Sequence, residues 1–170
     1  QATGTNIGWN LVGNPYPSAV DWNAATGWTK TNVDATIYFW KGVGGPSGSG
    51  NYHYYNPAGG AGAIGIGDAT QFIPPMQGFF VHASADGSLA VNNNARVHNT
   101  QAYWKSTAAV TGQIPLIRLQ AENEAGLTDE TVVRFYPEST MEYDGEYDAF
   151  KLDGYMYPQI YSITAGGVNL

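Results

Sequence analysis

Apolar and polar residues alternate with a period of two in short runs along this chain, which is the pattern of strands half-buried on one face. Ile7 to Val12 reads as a strand closed by Gly13-Asn14-Pro15. Ala35 to Lys41 is β-branched and aromatic, and Asn51 to Asn56 reads as an edge strand. Gln77 to Ala83 puts Phe79, Val81 and Ala83 on one face and Phe80 and His82 on the other. Shorter strands are expected at Ser88–Val91 and Ala102–Lys105. Ile114–Ala121 and Glu130–Tyr136 flank a turn over Glu122–Asp129, so they predict a hairpin. Such a hairpin needs further partners, for which Asp148–Leu152 and Ile160–Ile163 are the candidates. Ser18 followed by Asp21 resembles a capping box, which predicts one or two helical turns stopped near Gly27. The expected fold is all-β, a β-sandwich or jelly-roll-like module over residues 1–170, with at most one short helix near residues 18–26.

Composition sharpens this picture. Gly numbers 22 of 170 residues, aromatics make up 14% and charged residues only 12%, a mixture suited to strands joined by turns. No apolar run is long enough for a transmembrane helix, so membrane insertion is not expected. Cysteine is absent, which excludes disulfides, thiolate metal sites and cysteine nucleophiles. The first residue is Gln1, as expected of a piece cut from a longer precursor, so a missing leader carries no information about export. The net charge of −7 is uneven: residues 1–120 carry +1 and residues 121–170 carry −8. That split, with the small residues of 106–113, permits a division into 1–105 and 114–170. An acidic chain without a basic stripe does not suit nucleic acid.

Three strings stand out: Gly8-Trp9-Asn10-Leu11-Val12-Gly13-Asn14-Pro15-Tyr16-Pro17, Ile73-Pro74-Pro75-Met76-Gln77-Gly78-Phe79-Phe80-Val81, and Asp144-Gly145-Glu146-Tyr147-Asp148-Ala149-Phe150-Lys151-Leu152. In this order, from Trp9 to about Leu170, they resemble the β-rich region that precedes the type IX secretion C-terminal sorting domain in large secreted Bacteroidetes proteins. The resemblance implies a secreted or cell-surface-attached bacterial protein, with other domains of the same precursor as partners. It implies no catalytic role for the region itself. Trp9, Trp22 and Trp40 fall in or near the shared strings, which assigns them to the core.

Trp28, Tyr52, Tyr54, Tyr55 and Trp104 lie outside those strings and are the candidate ligand contacts. Sugar rings stack their C–H faces on aromatic side chains while amides take the hydroxyls, so Asn51 and Asn56 complete the set. The expected ligand is a polysaccharide; the competing reading gives these rings a packing role in a structural spacer. The glycine-rich runs around 42–50 and 59–67 are read as surface loops, because no Lys-Ser/Thr follows them as in a phosphate loop. Asp144, Glu146 and Asp148, with Glu142, form an alternating acidic stretch that is the candidate calcium site; no other cofactor is expected. Paired acids such as Glu122 with Glu124, or Asp144 with Asp148, keep a glycoside hydrolase as the weakest alternative. His53, His82 and His98 show no metal-ligand spacing, and no Gly-x-Ser-x-Gly elbow is present.

Overall fold

The computed structural model describes residues 7–42, 50–57, 64–99, 116–135 and 139–170. The expected strand at 102–105 and Trp104 lie outside them. The described residues form three antiparallel sheets. The largest has five strands in the order β1-β7-β3-β4-β5: β1 Trp9–Gly13, β3 Trp28–Gly42, β4 Gly50–Asn56, β5 Ile64–Gly65 and β7 Gly78–Val91. A small sheet joins β6 (Phe72–Ile73), β2 (Ala19–Asp21) and β8 (Arg96–Val97). The third is the hairpin of β9 (Leu116–Glu122) and β10 (Thr128–Arg134). The fold is therefore all-β and sandwich-like, as the alternation predicts.

The region 18–26 corrects the expectation of helical turns. Ala19–Asp21 is a strand held between β6 and β8, with Ala19 and Val20 fully buried. The Ser-x-x-Asp pair serves other ends. Ser18 Oγ accepts from Arg96 Nε at 2.8 Å, and Asp21 Oδ1 accepts the Asn23 N–H at 2.8 Å. Burying Ala19 and Val20 between two neighbours outweighs a local capping preference. Gly27 (φ 104°) then returns the chain so closely past Ala95 that a Cβ there would sit 2.4 Å from the Ala95 nitrogen.

The two faces of the five-stranded sheet are covered differently. On the inner face Ile37, Phe39, Tyr55, Phe79 and Val81 pack against Val20, Trp22 and Ile73 from the small sheet and its flanks. The outer face carries Trp9, Tyr38, Tyr54 and His82, covered in part by Tyr143 and Phe150 of the C-terminal segment. Tyr38 is buried, and its hydroxyl accepts the Phe150 N–H at 2.9 Å. The first two distinctive strings lie side by side, since β1 pairs with β7. Buried Asn14 fastens them: its Nδ2 reaches the carbonyls of Ser18, Ile73 and Pro74 at 2.8, 3.2 and 2.9 Å. The ribbon of β3 and β7 runs on to Trp28 and Val91, with Trp28 and Leu89 still packed against the core, and carries register shifts between Thr31 and Val33 and between Val33 and Ile37.

The C-terminal segment departs from expectation. Neither 148–152 nor 160–163 supplies a strand to the hairpin; an isolated bridge joins Ile163 to Asn169, and another joins Tyr155 to Gly50. The segment is held instead by separate polar contacts, described next.

Candidate functional site

Beside the edge of β4, six charged side chains of the described residues meet in three pairs. A cleft of about 490 Å³ opens there between β4, the loop Ile66–Asp68 and the hairpin. Three ion pairs build it. Lys41 Nζ lies 2.7 Å from Asp68 Oδ2, Arg118 Nη1 2.9 Å from Glu130 Oε1, and Lys151 Nζ 2.5 Å from Asp129 Oδ2. The last pair is the most enclosed, with side chains 8% and 3% exposed. Asp129 also accepts from Asn51 Nδ2 at 2.9 Å and from the Ile160 N–H at 2.8 Å, so one carboxylate fastens strand, hairpin and C-terminal segment together. Three donor contacts of this kind satisfy a buried charge that would otherwise be costly.

The loop is tied down by two backbone donors. The Gly67 N–H donates to Glu130 Oε1 at 2.8 Å, and the Asp68 N–H donates to His53 Nδ1 at 3.2 Å. A neutral imidazole that accepts at Nδ1 carries its proton on Nε2. Burial, aided by the charge of Lys41, pushes the His53 pKa down to about 4, so the ring is neutral at pH 7. Gly67 has φ 64°, and a Cβ there would sit 2.0 Å from His53 Nδ1, so only glycine lets the loop approach this closely.

The predicted contact residues take distinct places. Tyr52 walls the cleft and is half-buried. Its ring meets Trp40 edge-on at 4.9 Å and Phe80 at 5.7 Å, and both of those rings are half-buried too. Asn51 is buried on Asp129 in the lining of the cleft. Tyr54 packs on Tyr38 at 5.6 Å; burial, then Glu130 and Asp129, push its hydroxyl above the usual tyrosine range. Tyr55 belongs to the inner core, where its hydroxyl accepts from Asn23 Nδ2 at 2.6 Å. Asn56 is buried and donates to Thr36 Oγ1 at 2.8 Å. Trp28 meets Trp22 edge-on at 4.9 Å and donates from Nε1 to the Asp21 carbonyl at 2.8 Å. The structure therefore brings Asn51 and Tyr52 to one site and disperses Trp28, Tyr54, Tyr55 and Asn56 into packing contacts.

The acidic stretch closes on itself. Asp148 Oδ2 accepts the Asp144 N–H at 2.8 Å, and Asp144 Oδ1 accepts the Glu146 N–H at 2.9 Å. Among the described residues no three His, Asp or Glu side chains come together as a metal-ligand set. Burial raises the Asp148 pKa. Tyr54, Asn56 and Asp148 instead line a second cavity of about 260 Å³ between β10 and the C-terminal segment. Glu122 and Glu124 are exposed at the end of the hairpin.

Sequence reasoning did not find Trp40, Phe80, Lys41, Asp68, Arg118 or Glu130 as site residues. A signal for Trp40 was present. Folding the chain back about the middle of the glycine-rich 42–50 segment sets Trp40 opposite Tyr52 and Tyr38 opposite Tyr54, which is the observed register. Arg118 and Glu130 are diagonal neighbours across the predicted hairpin, whereas Lys41 with Asp68 and Lys151 with Asp129 had no local signal.

Comparison with curated proteins found no match, and comparison with solved structures found none. A family model, described as Domain of unknown function (DUF8693), matches residues 1–168, and the chain belongs to that family.

Proposed function

We propose that this chain is a non-catalytic glycan-binding module of a secreted or cell-surface protein, and that polysaccharide enters the cleft at the edge of β4. The observation that carries this reading is the position of Tyr52. It walls a polar cleft of about 490 Å³ and belongs to a cluster of half-buried rings with Trp40 and Phe80. An aromatic wall beside hydrogen-bonding side chains is what sugar recognition requires, since a ring covers the C–H face and the polar groups take the hydroxyls. Gln120, Thr128 and His53 supply uncharged donors and acceptors on the same lining. Attached to other domains, such a module raises their local concentration on an insoluble substrate.

The test is retention in affinity electrophoresis and pull-down on cellulose, xylan, mannan, β-glucan, chitin and pectin. Tyr52→Ala and Trp40→Ala are each expected to weaken retention about tenfold, roughly 1.4 kcal/mol. Undiminished retention by both variants would remove the site from β4.

A spacer reading is favoured by a different observation. Ile117 and Leu119 on β9 are 48% and 47% exposed, an apolar edge of the kind that meets a neighbouring domain. Failure of every polymer to retain the chain would move the weight to that reading.

A further inference from the structure

We infer that the β4 cleft selects uncharged glycans and rejects chains bearing carboxylates. This rests on the glycan reading above and adds to it the charge class of the ligand. Each base at or behind the cleft is already neutralised by an acid: Lys41 by Asp68 at 2.7 Å, Arg118 by Glu130 at 2.9 Å, and Lys151 by Asp129 at 2.5 Å. Among the described residues an incoming uronate therefore meets no unmatched cation at the cleft. To pair with Lys41 or Arg118 it must displace a resident carboxylate and lie beside it, and two carboxylates at that spacing repel. Those resident acids are themselves anchored. Glu130 holds the Gly67 N–H at 2.8 Å, and Asp129 holds Asn51 and Ile160 at 2.9 and 2.8 Å. Swinging one away to admit a ligand would also open the loop or the hairpin. The chain as a whole carries −7, so a polyanion is repelled before it arrives. Hydroxyls suffer neither cost. They exchange hydrogen bonds with Gln120, Thr128 and the outer lone pairs of the paired carboxylates without disturbing the ion pairs.

The experiment is affinity electrophoresis of the whole chain in gels containing β-glucan or galactomannan, and in parallel gels containing polygalacturonate or alginate, at 20 mM and 500 mM NaCl (about a fivefold change in screening length). The expected result is retardation by at least one neutral polymer, changing less than twofold with salt, and none by either polyanion. Retardation by neutral polymers together with polygalacturonate or alginate overturns the charge selection while leaving the glycan reading standing. Absence of retardation in every gel overturns both. Two variants test the cause. Asp68→Asn leaves Lys41 unmatched, and Glu130→Gln leaves Arg118 unmatched while keeping an oxygen for the Gly67 N–H. Either variant, with its fold verified by circular dichroism, is expected to gain polygalacturonate retardation that falls at least fivefold in 500 mM NaCl. If both folded variants still ignore polygalacturonate, the resident acids are not what excludes it and the inference fails.

Discussion

The two faces of the five-stranded sheet are covered by opposite means. On the inner face the partner is the small sheet with its flanks, and the contact is chiefly apolar: Ile37, Phe39, Tyr55, Phe79 and Val81 against Val20, Trp22 and Ile73. On the outer face the partner is the C-terminal segment, which brings few regular backbone pairs and docks through the rings of Tyr143 and Phe150 and through individual polar anchors. Phe150 N–H meets the Tyr38 hydroxyl at 2.9 Å, Tyr143 donates to Asp34 Oδ2 at 2.6 Å, and Lys151 meets Asp129. Apolar packing is tolerant of small shifts and strong in sum; polar anchors fix position but fail singly when one partner is lost. The inner face therefore sets the stability of the fold, and the outer face sets the position of the hairpin that walls the cleft.

The contrast is broken most severely from the inner side. Phe39 is fully buried and tilts against Phe79 at 6.2 Å. Phe39→Ala is expected to cost about 3–5 kcal/mol in global stability, read as a lowered urea midpoint with an unchanged slope. On the outer side, Asp129→Ala leaves Lys151 charged and enclosed, and leaves Asn51 Nδ2 and the Ile160 N–H without that acceptor. Breaking such a pair costs about 3 kcal/mol. The loss is expected to appear first as local release, with hydrogen exchange rising over 128–134 and 150–160 before it rises in β3 or β7. Equal acceleration in β3 would mean that the two layers unfold as one unit.

The same contrast explains what was legible in the sequence. Strands β1, β9 and β10 and the core of β7 were visible because alternation is a local signal. The 14- and 15-residue strands β7 and β3 were visible only in pieces, because the register shifts around Val33 interrupt the alternation that defines them. Ala19–Asp21 was misread because a three-residue strand is fixed by neighbours at 72–73 and 96–97, not by its own propensity. The cleft was the least legible part. Lys41 finds Asp68 27 residues away and Asn51 finds Asp129 78 away, and no spacing rule links them. Tyr52, which lines the cleft, was singled out because an aromatic run between glycine-rich segments is itself local. Tyr55 and Asn56 came with it because strand alternation does not say which face meets solvent.

The gentlest probe of the comparison is protonation of His53, which lies where the loop, β4 and the hairpin converge. Its pKa is about 4 in the fold against 6.5 for an ordinary histidine, because burial and Lys41 disfavour the charged ring. Between those values the unfolded chain binds a proton that the folded chain refuses. The His53 contribution is therefore fully present above pH 6.5 and is lost progressively as pH falls through 4. Its size is at most about 3 kcal/mol, reduced by the ring's partial exposure to roughly 1–2. Asp148 titrates with the opposite sign, since its raised pKa favours the folded state in acid. Comparing a variant with the parent at each pH cancels that contribution. His53→Asn keeps an acceptor for the Asp68 N–H but takes up no proton. Urea unfolding at pH 7.0, 5.5 and 4.5 is expected to show the variant weaker than or equal to the parent at neutral pH and gaining on it by roughly 1–2 kcal/mol at the acid end. If the two curves stay parallel across that range, the histidine is not held neutral by its surroundings.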